Sequence, residues 1–147
     1  MIYIGADHRG YNLKEEIKNY FELNNIKFED CGNKILDNND DFPDYAFIVG
    51  EKVASNMNDL GILICGSGEG MTIAANKVKG VRAALCDNVD SAKQSRFDND
   101  ANILVMNERH IIEEAIEIID VFVKTKFSSE ERYIRRIDKI SKYESNN

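Results

Sequence analysis

The sequence predicts a three-layer α/β fold built on a five-stranded, mainly parallel sheet, with an extra helix at the C-terminal end. Three observations predict it. Short β-type apolar runs alternate five times with segments of helical period, the central runs are apolar throughout, and the last helical segment follows another helix with no strand between them. Each parallel return needs a crossover, and right-handed crossovers cover both faces of a sheet. Strands that are apolar throughout fit burial on both sides.

The first strand is expected at 2–5 (IYIG), followed by a helix whose face is Leu13, Ile17, Tyr20 and Phe21. A second strand falls at 26–30 (IKFED), and Asp37 to Asp41 reads as a polar loop. Pro43 stands where a helix begins, and Ala46, Val49, Gly50, Val53 and Ala54 form its face. The third strand, 60–65 (LGILIC), leads directly into Gly66, Gly68 and Gly70, which open the next helix. Strands at 81–85 (VRAAL) and 102–106 (NILVM) bracket a fourth helix that ends within Ser95–Asp100. The helix over 110–124 carries an isoleucine-rich stripe, from Ile111 to Val123, wider than one sheet face needs, and the excess suits a subunit contact. The last helix is expected to open at Ser128, with Glu131 three residues on as a capping box, and residues 144–147 to fray.

At 147 residues the chain reads as one domain over 1–147, long enough to bury a core without disulfides or a metal. No stretch approaches the roughly 20 apolar residues of a membrane span, and Met1–Ile4 lacks the basic flank of a signal peptide, so the cytoplasm is the expected compartment. Cys31, Cys65 and Cys86 are odd in number and have no metal-ligand spacing, which points to free thiols. The formal net charge of −7 disfavours nucleic acid and membrane surfaces as partners. An anionic substrate therefore needs a local basic cluster, and the dense one is Arg132, Arg135, Arg136, Lys139 and Lys142.

The segment ICGSGEGMTIAANK, residues 64–77, places a thiol at the carboxyl end of a strand beside a glycine turn. Open α/β sheets bind ligands at that edge, and amides freed by such a turn can hold an anion. GSGEG lacks the G-x-G-x-x-G spacing of a dinucleotide site, the Gly-Lys-Ser/Thr of a P-loop, and the arginine of a thiol phosphatase loop. The plainer reading makes Cys65 a small buried side chain and the glycines a turn. Asp7 and His8 follow the first strand and reach the same edge, although an Asp-His pair there also serves as a helix cap with a hydrogen-bonded histidine. His110 at a helix start reads as incidental. Arg132 and Arg136, four apart, project from one helical face and can converge on a phosphate; an exposed basic face is the alternative.

Taken together, GADHRGYNLK, DDFPDYA, ILICGSGEGMTIAANKVKGVRAAL, SRFDNDANIL with NERH, and ERYIRRI resemble, in order and over nearly the whole chain, the type B ribose-5-phosphate isomerases and their galactose- and allose-6-phosphate isomerase relatives. The resemblance implies a five-stranded Rossmann-like sandwich, a phosphorylated sugar as substrate, no cofactor and no metal. It also implies a homodimer with active sites at the subunit interface, with a tetramer as the alternative. It makes Cys65 the base that moves a proton between C1 and C2 through an enediolate. Ser67 and the loop of Gly66, Gly68 and Gly70 would stabilise the oxyanion, with the thiol's pKa lowered at the helix N-terminus. Asp7 and His8 would contact sugar and phosphate, Arg109, Arg132 and Arg136 would supply positive charge, and Asn99 a contact from across the interface. Met71 stands where another branch of the family places a glutamate base. Two positions depart from the pattern: Asp98 replaces a histidine that assists ring opening, and Phe42 replaces a tyrosine. A carboxylate is mostly unprotonated at neutral pH and a poor acid. Ring opening then falls to Asp98 as a base, to an Asp98 raised by burial, to His8, or is bypassed by free open-chain substrate. The resemblance points to the ribose 5-phosphate and ribulose 5-phosphate pair. A hexose 6-phosphate isomerase and a noncatalytic sugar-phosphate-binding subunit are the alternatives.

Overall fold

A computed structural model describes all residues, 1–147. In chain order the elements are β1 (Ile2–Ala6), α1 (Tyr11–Leu23), β2 (Phe28–Asp30), α2 (Phe42–Ala54), β3 (Leu60–Cys65), α3 (Glu69–Ala75), β4 (Ala83–Leu85), α4 (Val89–Asn99), β5 (Ile103–Asn107), α5 (Ile112–Lys124) and α6 (Glu131–Ser145). The strands form one sheet in the order β2-β1-β3-β5-β4, and every neighbouring pair is parallel.

Strand alternation divides the core in two. Ile62 and Ile64 face one layer, where they pack with Leu13, Ile17 and Phe21 of α1 and with Ile118 and Phe122 of α5. Leu63 and Cys65 face the other, among Val49 and Val53 of α2 and Met71 and Ala75 of α3. The cysteine therefore points into the α2–α3 layer and not into the wider α1–α4–α5 layer. Because β1 pairs with β2 on one side and β3 on the other, the strand order reverses between β1 and β3, and the carboxyl ends of those two strands flank the crevice where such sheets take ligands.

Several boundaries differ from the sequence expectation, each for a local reason. Ile26 does not enter β2, because its amide closes the end of α1 on the Phe21 carbonyl at 2.9 Å. Val81 belongs to a turn, its amide bonded to the Val78 carbonyl at 3.1 Å. The capping box expected at Ser128 does not form. The Ser128 amide is tied to the Phe97 carbonyl, Ser129 takes a left-handed φ of 57°, and the helix begins only at Glu131 with no side-chain cap. A capping box occurs instead at α4, where Asn88 and Ser91 satisfy each other's amides. The segment 144–147 is helical through Ser145, and its Glu144 carboxylate accepts from the Gly80 amide at 2.9 Å. The surplus of the α5 stripe is visible as Ile111 and Val123, both exposed.

Candidate active site

Cys65 ends β3, and its side chain is 4% exposed. Its Sγ accepts a hydrogen bond from the Gly68 amide at 3.2 Å. Burial pushes the thiol above its ordinary value and outweighs the opposing pull of the Met71, Gly68 and Ser67 amides. This corrects the expectation of a lowered thiol pKa: the turn supplies the expected amides, but the sulfur is buried deeply enough that desolvation wins. Gly68 takes φ +84°, and a side chain there would run into Leu85. Gly70 permits a close approach of another kind, because a Cβ on it would stand 2.7 Å from Cζ of Phe42. Ser67 is exposed at the tip of the turn, with Oγ accepting from the Glu69 amide at 3.2 Å. The amides of Gly68 and Glu69 are thus engaged within the turn. Met71 is fully buried in the core, so no carboxylate stands one turn into α3.

Register places the end of β1 alongside this turn. Ala6 pairs with Ile64, so Asp7 follows β1 at the level where Cys65 closes β3. Asp7 is 6% exposed, and its Oδ1 accepts from the Arg9 and Gly10 amides at 3.0 and 3.1 Å, the turn-capping role weighed for it from sequence. Burial raises its carboxyl despite those bonds. His8 Nδ1 lies 2.7 Å from Oδ1 of Asp40, and this bond holds the imidazole above its ordinary value. Arg9 reaches back over Gly66, its guanidinium bonded to both carboxylate oxygens of Glu108.

The end of β5 completes this edge. Cys65 pairs in register with Asn107, whose side chain donates to Asp87 at 2.8 Å and accepts from the Arg109 amide at 2.8 Å. That bond fixes the loop carrying Arg109, whose side chain is exposed at the same edge as Cys65. The His110 ring lies between Asp87 and Glu114, each 3.4 Å away, with Nε2 buried.

The remaining expected residues lie elsewhere. Asp98 and Asn99 occupy the last turn of α4, just before β5 begins, and so stand at the amino edge of the sheet, opposite Cys65. Asn99 lines a cavity of about 400 Å³ there with Ile140 and Glu144 of α6. Arg132 and Arg136 do share one face of α6, with their guanidiniums 4.7 and 5.6 Å from the centre of the Tyr133 ring, and both are exposed. The chain thus brings together Asp7, His8, Cys65, the glycine turn, Ser67 and Arg109, and keeps Asp98, Asn99, Arg132 and Arg136 apart from them.

Asp7, His8 and Asp40 each offer a ligand atom within 4.8 Å of the others, the one such group in the molecule. Oδ1 of Asp7 accepts from backbone amides, and His8 Nδ1 and Asp40 Oδ1 are paired with each other. Sequence reasoning missed Asp40, Arg9 and Glu108. Asp40 sits among the acidic residues of a polar loop with nothing local to single it out, and the Arg9–Glu108 pair spans 99 positions with no local pattern to reveal it.

The profile of a family described as Ribose/Galactose Isomerase matches residues 2–140. A probable ribose-5-phosphate isomerase B of Mycoplasma genitalium is 45% identical over 97% of this chain and 95% of its own length. A putative sugar phosphate isomerase of Bacillus subtilis, YwlF, is 47% identical over 98% and 97%. Among solved structures, ribose-5-phosphate isomerase B from Mycoplasma genitalium with bound ribulose-5-phosphate superimposes with a TM-score of 0.94 at 44% identity, covering 99% of this chain and 97% of that one.

Proposed function

Since the chain belongs to the ribose and galactose isomerase family, we propose that it interconverts ribose 5-phosphate and ribulose 5-phosphate, with Cys65 as the base. The observation that carries the cysteine's part is its position: a thiol closing β3 at the crevice between β1 and β3, with Asp7 and His8 beside it. The relative from Mycoplasma genitalium whose solved structure holds ribulose-5-phosphate supports a five-carbon substrate.

The chemistry follows from that arrangement. Ionised Cys65 takes the C2 proton of the open-chain aldose, and the electron pair left behind forms the C1–C2 double bond as O1 becomes an oxyanion. A proton passes from O2 to O1, the C2 carbonyl forms, and Cys65 returns its proton to C1. The Gly70 amide and the Ser67 hydroxyl stabilise the enediolate oxygens, since the Gly68 and Glu69 amides are engaged within the turn and the Ser67 amide faces the Cys65 sulfur. His8 and Arg109 hold the phosphate from this edge, and Asp7 contacts the sugar.

Asp98, Asn99, Arg132 and Arg136 sit at the far edge of their own sheet, so a second copy of the chain supplies them to this site. This reading makes the enzyme a homodimer with shared sites, in which Asp98 assists ring opening and the arginine pair completes the phosphate pocket. No helix is long and apolar enough to cross a membrane, and the cytoplasm, where sugar phosphates are retained, is the compartment this reading assigns.

A coupled assay with ribose 5-phosphate, run beside allose and galactose 6-phosphates, tests the substrate. Faster turnover of a six-carbon phosphate would overturn the pentose assignment. Cys65→Ala tests the base: isomerisation is expected to fall by roughly a thousandfold or more while sugar-phosphate binding stays within a few-fold. Undiminished turnover in that variant removes Cys65 from the chemistry.

A further inference from the structure

We propose that Asp40 is a positioning residue for His8: its carboxylate grips the His8 backbone amide and Nδ1 together, leaving Nε2 as the single ring donor for the phosphate of the substrate. The inference rests on the proposed phosphate role of His8 and explains how that role is achieved.

Oδ1 of Asp40 receives the His8 amide at 3.0 Å and faces His8 Nδ1 at 2.7 Å, so one oxygen sets both the backbone and the ring. Its other oxygen accepts from the Asn33 side chain at 3.1 Å. The Asp40 side chain is only 4% exposed, whereas that of His8 is 30% exposed, so the carboxylate is enclosed and the imidazole reaches solvent. A carboxylate on Nδ1 fixes the ring with Nδ1–H and directs its exchangeable chemistry to Nε2.

The support continues one step deeper. The Asn33 carbonyl accepts from Nζ of Lys14 at 2.6 Å, and that lysine is fully buried and paired with Asp30 at 2.9 Å. Lys14, Asn33, Asp40 and His8 thus form a hydrogen-bonded relay from the α1 layer of the core to the edge of the sheet.

The charges facing His8 agree with this role. Asp40 and Asp7 favour its protonated form, while Arg9 and burial oppose it, and the balance raises the imidazole. Around Asp40 itself, burial is overcome by the bonds from His8 and Asn33, and its carboxyl is held below the usual range. Tyr45 packs beside Asp40 with its hydroxyl pushed up to about 12 by burial and by that carboxylate, so it stays neutral and adds no charge. In a chain of net charge −7, the protonated imidazole that these two carboxylates favour adds its charge to the arginines that meet the phosphate.

The test is Asp40→Asn in the full-length protein, followed by nitrogen-15 NMR of the histidine rings. His8 is distinguished from His110 by a parallel His110→Gln sample. Expected results are a His8 titration midpoint at lower pH than in the wild type, loss of the fixed Nδ1–H tautomer, and inorganic phosphate bound roughly tenfold more weakly by calorimetry at neutral pH. KM for ribose 5-phosphate should rise by a similar factor, with kcat moving much less. Asn33→Ala, which removes one support of Asp40 without touching His8, should shift both readouts in the same direction and by less. An unchanged His8 midpoint and unchanged phosphate affinity in a folded Asp40→Asn protein would overturn the proposal. The NMR and calorimetric readouts do not depend on turnover: a wild type that fails to isomerise ribose 5-phosphate, with the His8 shift still present, would sink the substrate assignment and support the Asp40–His8 coupling.

Discussion

The Arg9 guanidinium lies over Gly66, with Nη1 2.6 Å from where a side chain on that glycine would begin, and Glu108 pins it there through bonds of 3.2 and 2.9 Å. A cation so placed next to Cys65 favours the thiolate. Because the Arg9 side chain is 59% exposed, solvent weakens its influence. Replacing Arg9 by Gln should move the pH midpoint of Cys65 alkylation up by a few tenths of a pH unit at low salt, with the difference disappearing at high salt. Coincident midpoints at low salt would show that Arg9 exerts no field on the sulfur.

Cys65 itself carries a sharper expectation. Its folded value is raised by burial, so at neutral pH the free enzyme holds mostly thiol, and the reactive fraction grows as pH rises. Alkylation of Cys65 by iodoacetamide, followed residue by residue in a mass spectrometer, should quicken about tenfold per pH unit from about pH 7 to 8.5. Cys31, pushed up to about 11 chiefly by burial, provides an internal reference that ionises later. A Cys65 rate that levels off below pH 8 would mean that the turn's amides overcome burial after all.

The Lys14–Asp30 pair beneath the site should govern acid stability. Burial would raise the Asp30 carboxyl, but bonds from Lys18 and Lys14 hold it below its usual value. A carboxyl depressed in the folded state contributes stability that is present above its unfolded value and lost as pH falls through the folded one. Asp30→Asn leaves Lys14 buried without its nearest countercharge, a loss of about 3 kcal/mol at pH 7. The gap between variant and wild type should narrow toward pH 3 in urea unfolding. A gap of equal size at both pH values would place the stabilisation in packing and not in charge.

How much of this was legible in the sequence depended on distance along the chain. The run LGILIC and the alternation around it locate β3, and parallel strands then bring Asp7 level with Cys65 without further information. Asp40, Lys14 and Arg9 stayed hidden because their partners lie 32, 16 and 99 positions away, and polar pairing across such spans leaves no periodic trace. Lys14 is the clearest case: its neighbours Leu13 and Ile17 mark an apolar face, yet the lysine is buried as completely as they are, because Asp30 and the Asn33 carbonyl meet its charge. The raised thiol is hidden for a different reason: the glycine turn marks a helix N-terminus, but the desolvation of Cys65 comes from the α2–α3 layer, whose Val49 and Val53 are distant in the chain. Ser128 fits a capping pattern, but the tie from its amide to Phe97 on another helix decides where α6 starts.

The separation of Cys65 from Arg136 makes the shared site testable by mixing. Cys65 ends β3 at the carboxyl edge, while Arg136 lies on α6, which follows α5 back past the amino edge. If each site takes Cys65 from one chain and Arg136 from the other, a dimer formed from a Cys65→Ala chain and an Arg136→Ala chain has one site with both defects and one with neither. Each variant alone should be nearly inactive. Random exchange in an equal mixture makes half the dimers hybrid, each with one intact site of two, so activity should recover to about a quarter of the wild-type value. Recovery should follow the time course of subunit exchange. If each site were built from a single chain, no chain in the mixture would carry an intact site, and activity would stay at the mean of the two variants however long they were mixed.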